Sequence, residues 1–150
     1  MTASDLAPPN PDFVETTKRF LMEMPIARHF GFAVTHVGAG LFEITQPFKE
    51  ELSFSPGLFQ AGPVGTLADM AAACAGATML PRGWGASTVD YTIKLVAPAA
   101  GEKLVARGRV VRSGRTLSVT AADVYAVQGG NETLCATALA TIRNFESAVS

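Results

Sequence analysis

The sequence predicts an α+β domain in which a strongly curved antiparallel sheet covers one long, buried helix. Three observations lead there. The run from Val64 to Met79 is small or apolar on nearly every side, and a helix apolar all round is buried rather than surface-lying. From Ala86 onward the chain reads as strand after strand, punctuated by Gly- and Pro-marked turns. Its 150 residues contain no internal repeat and no linker, which points to one domain large enough to bury a core. A lone apolar helix needs a cover, and a curved sheet supplies one.

Taken in order, residues 1–12 carry three prolines and read as a flexible tail, leaving 13–150 as the single domain. Phe13, Val14, Phe20, Leu21 and Met24 give an amphipathic helix that ends at Pro25. Phe32 to Val37 and Leu41 to Phe48 read as strands joined at Gly38-Ala39-Gly40, with Pro47 implying an edge or a bulge. A polar loop, Lys49 to Ser55, leads to the central helix, which starts near Gly62-Pro63 because proline suits a first helical turn. At 1.5 Å per residue the Val64–Met79 run spans about 24 Å, too short to cross a membrane. After the loop Pro81 to Gly85, residues Ala86 to Val96 alternate, with Val89, Tyr91, Ile93 and Leu95 on one face and Thr88, Asp90, Thr92 and Lys94 on the other. Lys103 to Arg112, Arg115 to Gln128 and Thr133 to Phe145 complete an expected four-strand meander, turning at Ser113-Gly114 and Gly129-Gly130.

Composition narrows the function classes. Apolar residues make up 48% and charged residues 17%, which excludes disorder and favours a well-buried or oligomeric protein. A net charge of -1 with a pI near 6.1 gives no sign of a nucleic-acid partner. Cys74 and Cys135 lie in apolar surroundings without metal-ligand spacing, so reduced thiols and a cytoplasmic setting are expected, with no metal. The amino terminus lacks a basic region followed by an apolar run, so neither a secretory signal nor a membrane anchor is expected. His29 and His36 have no partner at recognisable spacing and read as structural. Trp84, between glycines, lines a pocket or anchors its loop. One residue stands out. Asp69 is the only charged residue in the apolar helix, and a carboxylate there is costly unless paired, with its pKa pushed up by desolvation.

The blocks around Asp69 resemble a known family. Leu58-Phe59-Gln60-Ala61-Gly62 with Asp69 nine positions after Gln60, Thr88-Val89-Asp90-Tyr91, Leu95-Val96-Ala97-Pro98-Ala99, and Arg109 to Arg115 are similar to the signature of the PaaI-like, phenylacetic-acid-pathway-type acyl-CoA thioesterases of the hotdog-fold superfamily. The resemblance covers roughly residues 25–145. It implies a hotdog fold, hydrolysis of an aryl- or medium-chain acyl-CoA without a separate cofactor, coenzyme A being part of the substrate, and a homodimer or homotetramer whose active sites lie between subunits. In this resemblance Asp69 matches the catalytic base or nucleophile, a role that suits a positioned, partly desolvated carboxylate. Ala61 and Gly62 match backbone N–H donors to the thioester carbonyl at a helix start. Thr88 matches a hydroxyl that helps to hold the attacking water.

Two positions depart from the family. Gln60 stands where many members have histidine; glutamine donates a hydrogen bond but is neither acid nor base. Phe54 stands where several relatives place a water-orienting asparagine. Together with Leu58 and Phe59 it reads as acyl-binding. Arg112, Ser113, Gly114 and Arg115 match the hairpin that meets the phosphates of coenzyme A, a task suited to guanidinium groups. The departures leave a second reading, a non-catalytic acyl-CoA-binding hotdog protein. A dehydratase fits less well, because that chemistry calls for a His/acid pair and the site has no histidine.

Overall fold

A computed structural model describes residues 6–147. Its centre is helix α3 (Ala61–Ala77). Gln60 is the N-cap, and its side-chain oxygen accepts from the Gly62 N–H. The helix therefore begins slightly before the Gly-Pro pair. Leu67, Ala68, Ala71, Ala72, Cys74 and Ala75 are fully buried, as an all-apolar helix requires. At its far end the Thr78 hydroxyl donates to the Ala75 carbonyl and accepts from the Gly40 N–H, tying the helix to the turn before the second strand.

Six strands wrap this helix: β1 (Ala33–Gly38), β2 (Leu41–Pro47), β5 (Trp84–Leu95), β6 (Lys103–Arg112), β7 (Leu117–Gln128) and β8 (Asn131–Glu146). They form one antiparallel sheet in the order β1-β2-β6-β7-β8-β5. The inner face carries Phe42, Ile44, Leu104, Ala106, Ala122, Val124 and Ile142 into the core. Helix and sheet meet most closely at Gly108, where an added Cβ would lie 2.0 Å from the Ala71 carbonyl oxygen. Only glycine permits that approach. The expected proline edge is visible too: the β1 pairing of β2 ends at Thr45, so the Pro47 nitrogen faces no second strand.

Several expectations need correction. The four-strand meander is a three-strand one, β6-β7-β8, because β5 pairs with β8 and forms the sheet's outer edge. Strand spacing identifies strands but not their neighbours. The chain leaves β5, passes the start of α3 and bonds there through Phe59 N–H to Ala99 O and Gly101 N–H to Gly57 O. Helix α1 stops at Met22 (Phe13–Met22), and a second, short helix α2 (Pro25–Phe30) follows. Its signal is Pro25 at the first position and Gly31, φ 74°, at the end; six residues are too few for periodicity. The loop Lys49 to Ser55 contains a 3₁₀ turn (Glu50–Leu52) and β3 (Ser53–Ser55), which pairs with β4 (Leu58–Phe59). The expected tail is shorter than 1–12 where it is described: Asn10 is buried and donates to Thr16, and Asp12 is paired with Arg82. Residues 1–5 of it lie outside the described residues.

Strand β5 also departs from simple alternation. Thr88 pairs with Ile142 and Asp90 with Thr141, leaving Val89 as an extra residue in a bulge. A bulge re-aims side chains. Here it turns Thr88 to the same face as Tyr91, toward α3, instead of the opposite face.

Candidate active site

Asp69 lies midway along α3, on the side that meets β5. The bulge brings the Thr88 hydroxyl to it, donating to Asp69 Oδ1 at 2.7 Å. Burial raises the Asp69 pKa above the ordinary carboxylate value, and the Thr88 hydrogen bond works against that shift. No cation is recorded against it among the described residues. One oxygen is thus held by a hydroxyl while the other is left to accept a proton, the arrangement a general base needs. The neighbouring Cys74 thiol is buried, and burial together with the Asp69 charge pushes its pKa up. A thiol held protonated in this way is a poor nucleophile.

The second group of expected residues gathers at the start of α3. Phe54, Leu58, Phe59, Gln60 and Ala61 line one cavity of about 310 Å³, closed from the other side by Leu95 and the Ala97–Ala99 crossing. Phe54 is 74% exposed, so its ring forms a rim rather than part of the core. The two expected backbone donors divide here. The Gly62 N–H is already taken by Gln60 Oε1, while the Ala61 N–H has no partner recorded among the described residues. Pro63 removes the next donor of that turn. Ala61 thus brings one free backbone N–H, at the positive end of α3, to the lining of the cavity. Gln60 acts first as a cap, because a backbone N–H can pair only with its side-chain oxygen.

The third group stands apart. Arg112 ends β6, and Ser113, Gly114 and Arg115 follow it in the exposed turn to β7, with the Gly114 carbonyl accepting from Asn144 Nδ2 at 2.8 Å. Gly114 and Arg115 line a different cavity of about 370 Å³ with Met79, Leu80 and Trp84, at the C-terminal end of α3. Neither Arg112 nor Arg115 has an acidic partner among the described residues. The expected site residues therefore form three clusters along one helix, not one. Sequence reasoning missed Leu95 and Val64 as cavity walls and missed Tyr91, whose ring lies against Gly65. Simple alternation placed Tyr91 and Thr88 on opposite faces, and only the bulge unites them. Among the described residues no group of three or more His, Cys, Asp or Glu side chains stands together as a metal site, and no helix is long and apolar enough to cross a membrane.

Comparison with known proteins gives this geometry a context. The family model of the thioesterase superfamily matches residues 62–133, from the first turn of α3 into β8. A thioesterase family protein from Silicibacter pomeroyi is similar over 90% of this chain and 99% of its own, at 27% identity and a TM-score of 0.87. A phenylacetic acid degradation-related protein from Ralstonia eutropha is 26% identical over 85% of this chain and 98% of its own, with a TM-score of 0.72. The PaaI protein of the E. coli phenylacetic acid degradation operon shares the fold at 18% identity, covering 93% of this chain and 97% of its own, with a TM-score of 0.79. Among curated proteins, none matches the sequence significantly.

Proposed function

We propose, from the premise that this chain is a PaaI-like, hotdog-fold member of the thioesterase superfamily, that it hydrolyses aryl- or medium-chain acyl-CoA to the free acid and coenzyme A. The observation that carries the proposal is the half-buried Asp69, its pKa raised by burial and its Oδ1 held by Thr88. In the proposed reaction the free Asp69 oxygen takes a proton from water, and the water oxygen attacks the thioester carbon. The carbonyl π electrons move to oxygen, and the oxyanion is stabilised by the Ala61 N–H at the positive end of α3. Collapse of this intermediate breaks the carbon–sulfur bond, and the departing sulfur takes the proton back from Asp69. The apolar cavity beside Ala61 would hold the acyl group, and Arg112 and Arg115 the phosphates.

Helix geometry supports a further part of the proposal, the number of chains at each site. Ala61 and Asp69 are eight residues apart, about 12 Å along the axis. One carbonyl and the water attacking it cannot meet both groups. We therefore assign the two roles at each site to different copies of the chain, arranged as a homodimer. Support comes from β5, a twelve-residue edge strand that exposes Val89 and Leu95 at 59% and 54%. Such an edge is an aggregation hazard unless another strand covers it. Pairing two β5 strands would cover both edges and bring the two α3 helices onto neighbouring inner faces.

A panel of aryl- and medium-chain acyl-CoA esters, assayed by thiol release, tests the proposal. Turnover of one class is expected. Calorimetric binding across the panel with no turnover would favour the non-catalytic binding protein instead.

A further inference from the structure

We infer that Tyr91 is a specificity-determining residue of this site, its hydroxyl selecting acyl groups that carry a hydrogen-bonding oxygen beyond the thioester; the inference rests on the thioesterase reading. The bulge at Val89 puts Thr88 and Tyr91 on the same face of β5. Thr88 reaches Asp69 at 2.7 Å. The Tyr91 hydroxyl oxygen lies 3.5 Å from where a Cβ on Gly65 would sit, with ring carbon Cε2 at 4.0 Å. Gly65 is four residues from Ala61 and four from Asp69, so it lies about 6 Å along the axis from each. Whichever copy supplies the other half of the site, this hydroxyl stands one helical turn from a reacting group.

The surroundings make the hydroxyl selective. Ile93 also meets the Gly65 position, at 4.0 Å, and beyond it Leu95 and Val64 belong to the apolar cavity wall. Tyr91 is 42% exposed, and its hydroxyl has no hydrogen-bond partner recorded among the described residues. A purely alkyl acyl chain lying over it would strip away water and leave a donor and an acceptor unpaired. An acyl chain with a hydroxyl or oxo group about 6 Å from the thioester carbon would satisfy it. A hydroxyl that the bound acyl chain covers and leaves unpaired disfavours an analogue lacking the partner far more strongly than an apolar pocket distinguishes one methylene. Gly65 lets the ring lie close to the helix backbone, where even an added Cβ would only just reach van der Waals contact with it.

The test compares hexanoyl-CoA with 6-hydroxyhexanoyl-CoA on the wild type and on Tyr91→Phe, by thiol release and by calorimetric binding. The wild type should favour the hydroxylated ester by about tenfold or more in kcat/KM, with a preference of the same sign in Kd. Tyr91→Phe should bring both ratios to about one while keeping the wild-type melting temperature and oligomeric state. Equal wild-type handling of the two esters, or a preference that survives Tyr91→Phe, overturns the inference. Binding preference without hydrolysis of either ester, joined by no turnover of the aryl esters, would sink the thioesterase reading and leave the selecting role of Tyr91 standing. Hydrolysis without preference would do the reverse.

Discussion

On the outer face of the sheet, Arg107 and Arg109 are paired with carboxylates; Asp69 on α3 and Arg115 beyond its far end are not paired with opposite charges among the described residues. Arg107 contacts Glu43 at 2.7 Å and Glu132 at 2.7 and 2.8 Å, with its guanidinium 4.9 Å from the Tyr125 ring centre. Arg109 lies 3.6 Å from Asp123, which accepts from Thr137. At Glu43 burial pushes the pKa up, but hydrogen bonds from Thr35 and Arg107 outweigh it and hold the carboxyl below its ordinary value; at Glu132 the Arg107 hydrogen bond does the same. Asp69 has burial without a cation, and its pKa moves the other way. Arg115 likewise has no carboxylate partner among the described residues. The Arg107 pairs bridge β2, β6 and β8, whereas Asp69 and Arg115 retain bonding capacity for something that is not the protein.

The largest expected effect that would break this comparison is at Asp69. Asp69→Asn keeps the size and one hydrogen-bonding oxygen but cannot accept a proton, so kcat should fall by roughly 10²–10⁴ with little change in KM. Because the folded state binds the Asp69 proton more tightly than the unfolded chain does, the carboxylate weakens stability as pH rises above its ordinary value of 3.8. Asp69→Asn should therefore melt higher than wild type at neutral pH, and calorimetry should show the difference closing in acid. A variant that melts lower at neutral pH would mean the charge is compensated after all.

Arg115→Ala comes next. Losing a charge-assisted contact to phosphate should raise KM for CoA esters about tenfold or more and leave kcat near wild type. The same rise with a thioester lacking the nucleotide would remove Arg115 from phosphate binding.

Thr88→Val sharpens the comparison on a smaller scale. Without the hydroxyl the opposing influence on Asp69 is gone, so its pKa should climb further. The acid limb of the kcat/KM profile should shift to higher pH. An unshifted limb would dissociate Thr88 from the titrating group.

The smallest effect belongs to the paired region. Arg107→Met should cost about 1 kcal/mol or less, as half-exposed ion pairs do, without altering kcat. The stabilisation from Glu43 and Glu132 is present above their ordinary pKa of 4.5 and is lost as pH falls through their lowered values. The variant should therefore lose less stability on acidification than the wild type, a difference that urea titrations across the acid range would measure.

Asp69 was legible in the sequence because a lone charge in the Val64–Met79 run has no local explanation. The long helix was legible from the same run, and the strands from alternation. What could not be read is pairing. Nothing in Ala86 to Val96 says that β5 joins β8, or that Val89 bulges and swings Thr88 toward Asp69. The fate of the Gly62 N–H was hidden for a similar reason: glutamine is a rare N-cap, and its reach to Gly62 depends on the extended Gln60 backbone, φ -74° and ψ 148°. Local chemistry shows in residue types, whereas register and side-chain direction are set by the folded sheet.

The central claim, that each site draws Asp69 from one copy and the Ala61 N–H from another, is tested most directly with mixed dimers. Asp69→Asn removes the base. Ala61→Pro removes the backbone donor at a first helical position where proline is tolerated, and the preceding Gln60 is already extended. Each variant alone should be nearly inactive. Unfolded together in equal amounts and refolded, they should recover about a quarter of the wild-type rate, because random pairing makes half the dimers mixed and each of those holds one intact site of two. No recovery from a mixture that has demonstrably exchanged subunits would place both groups in one chain and contradict the shared site.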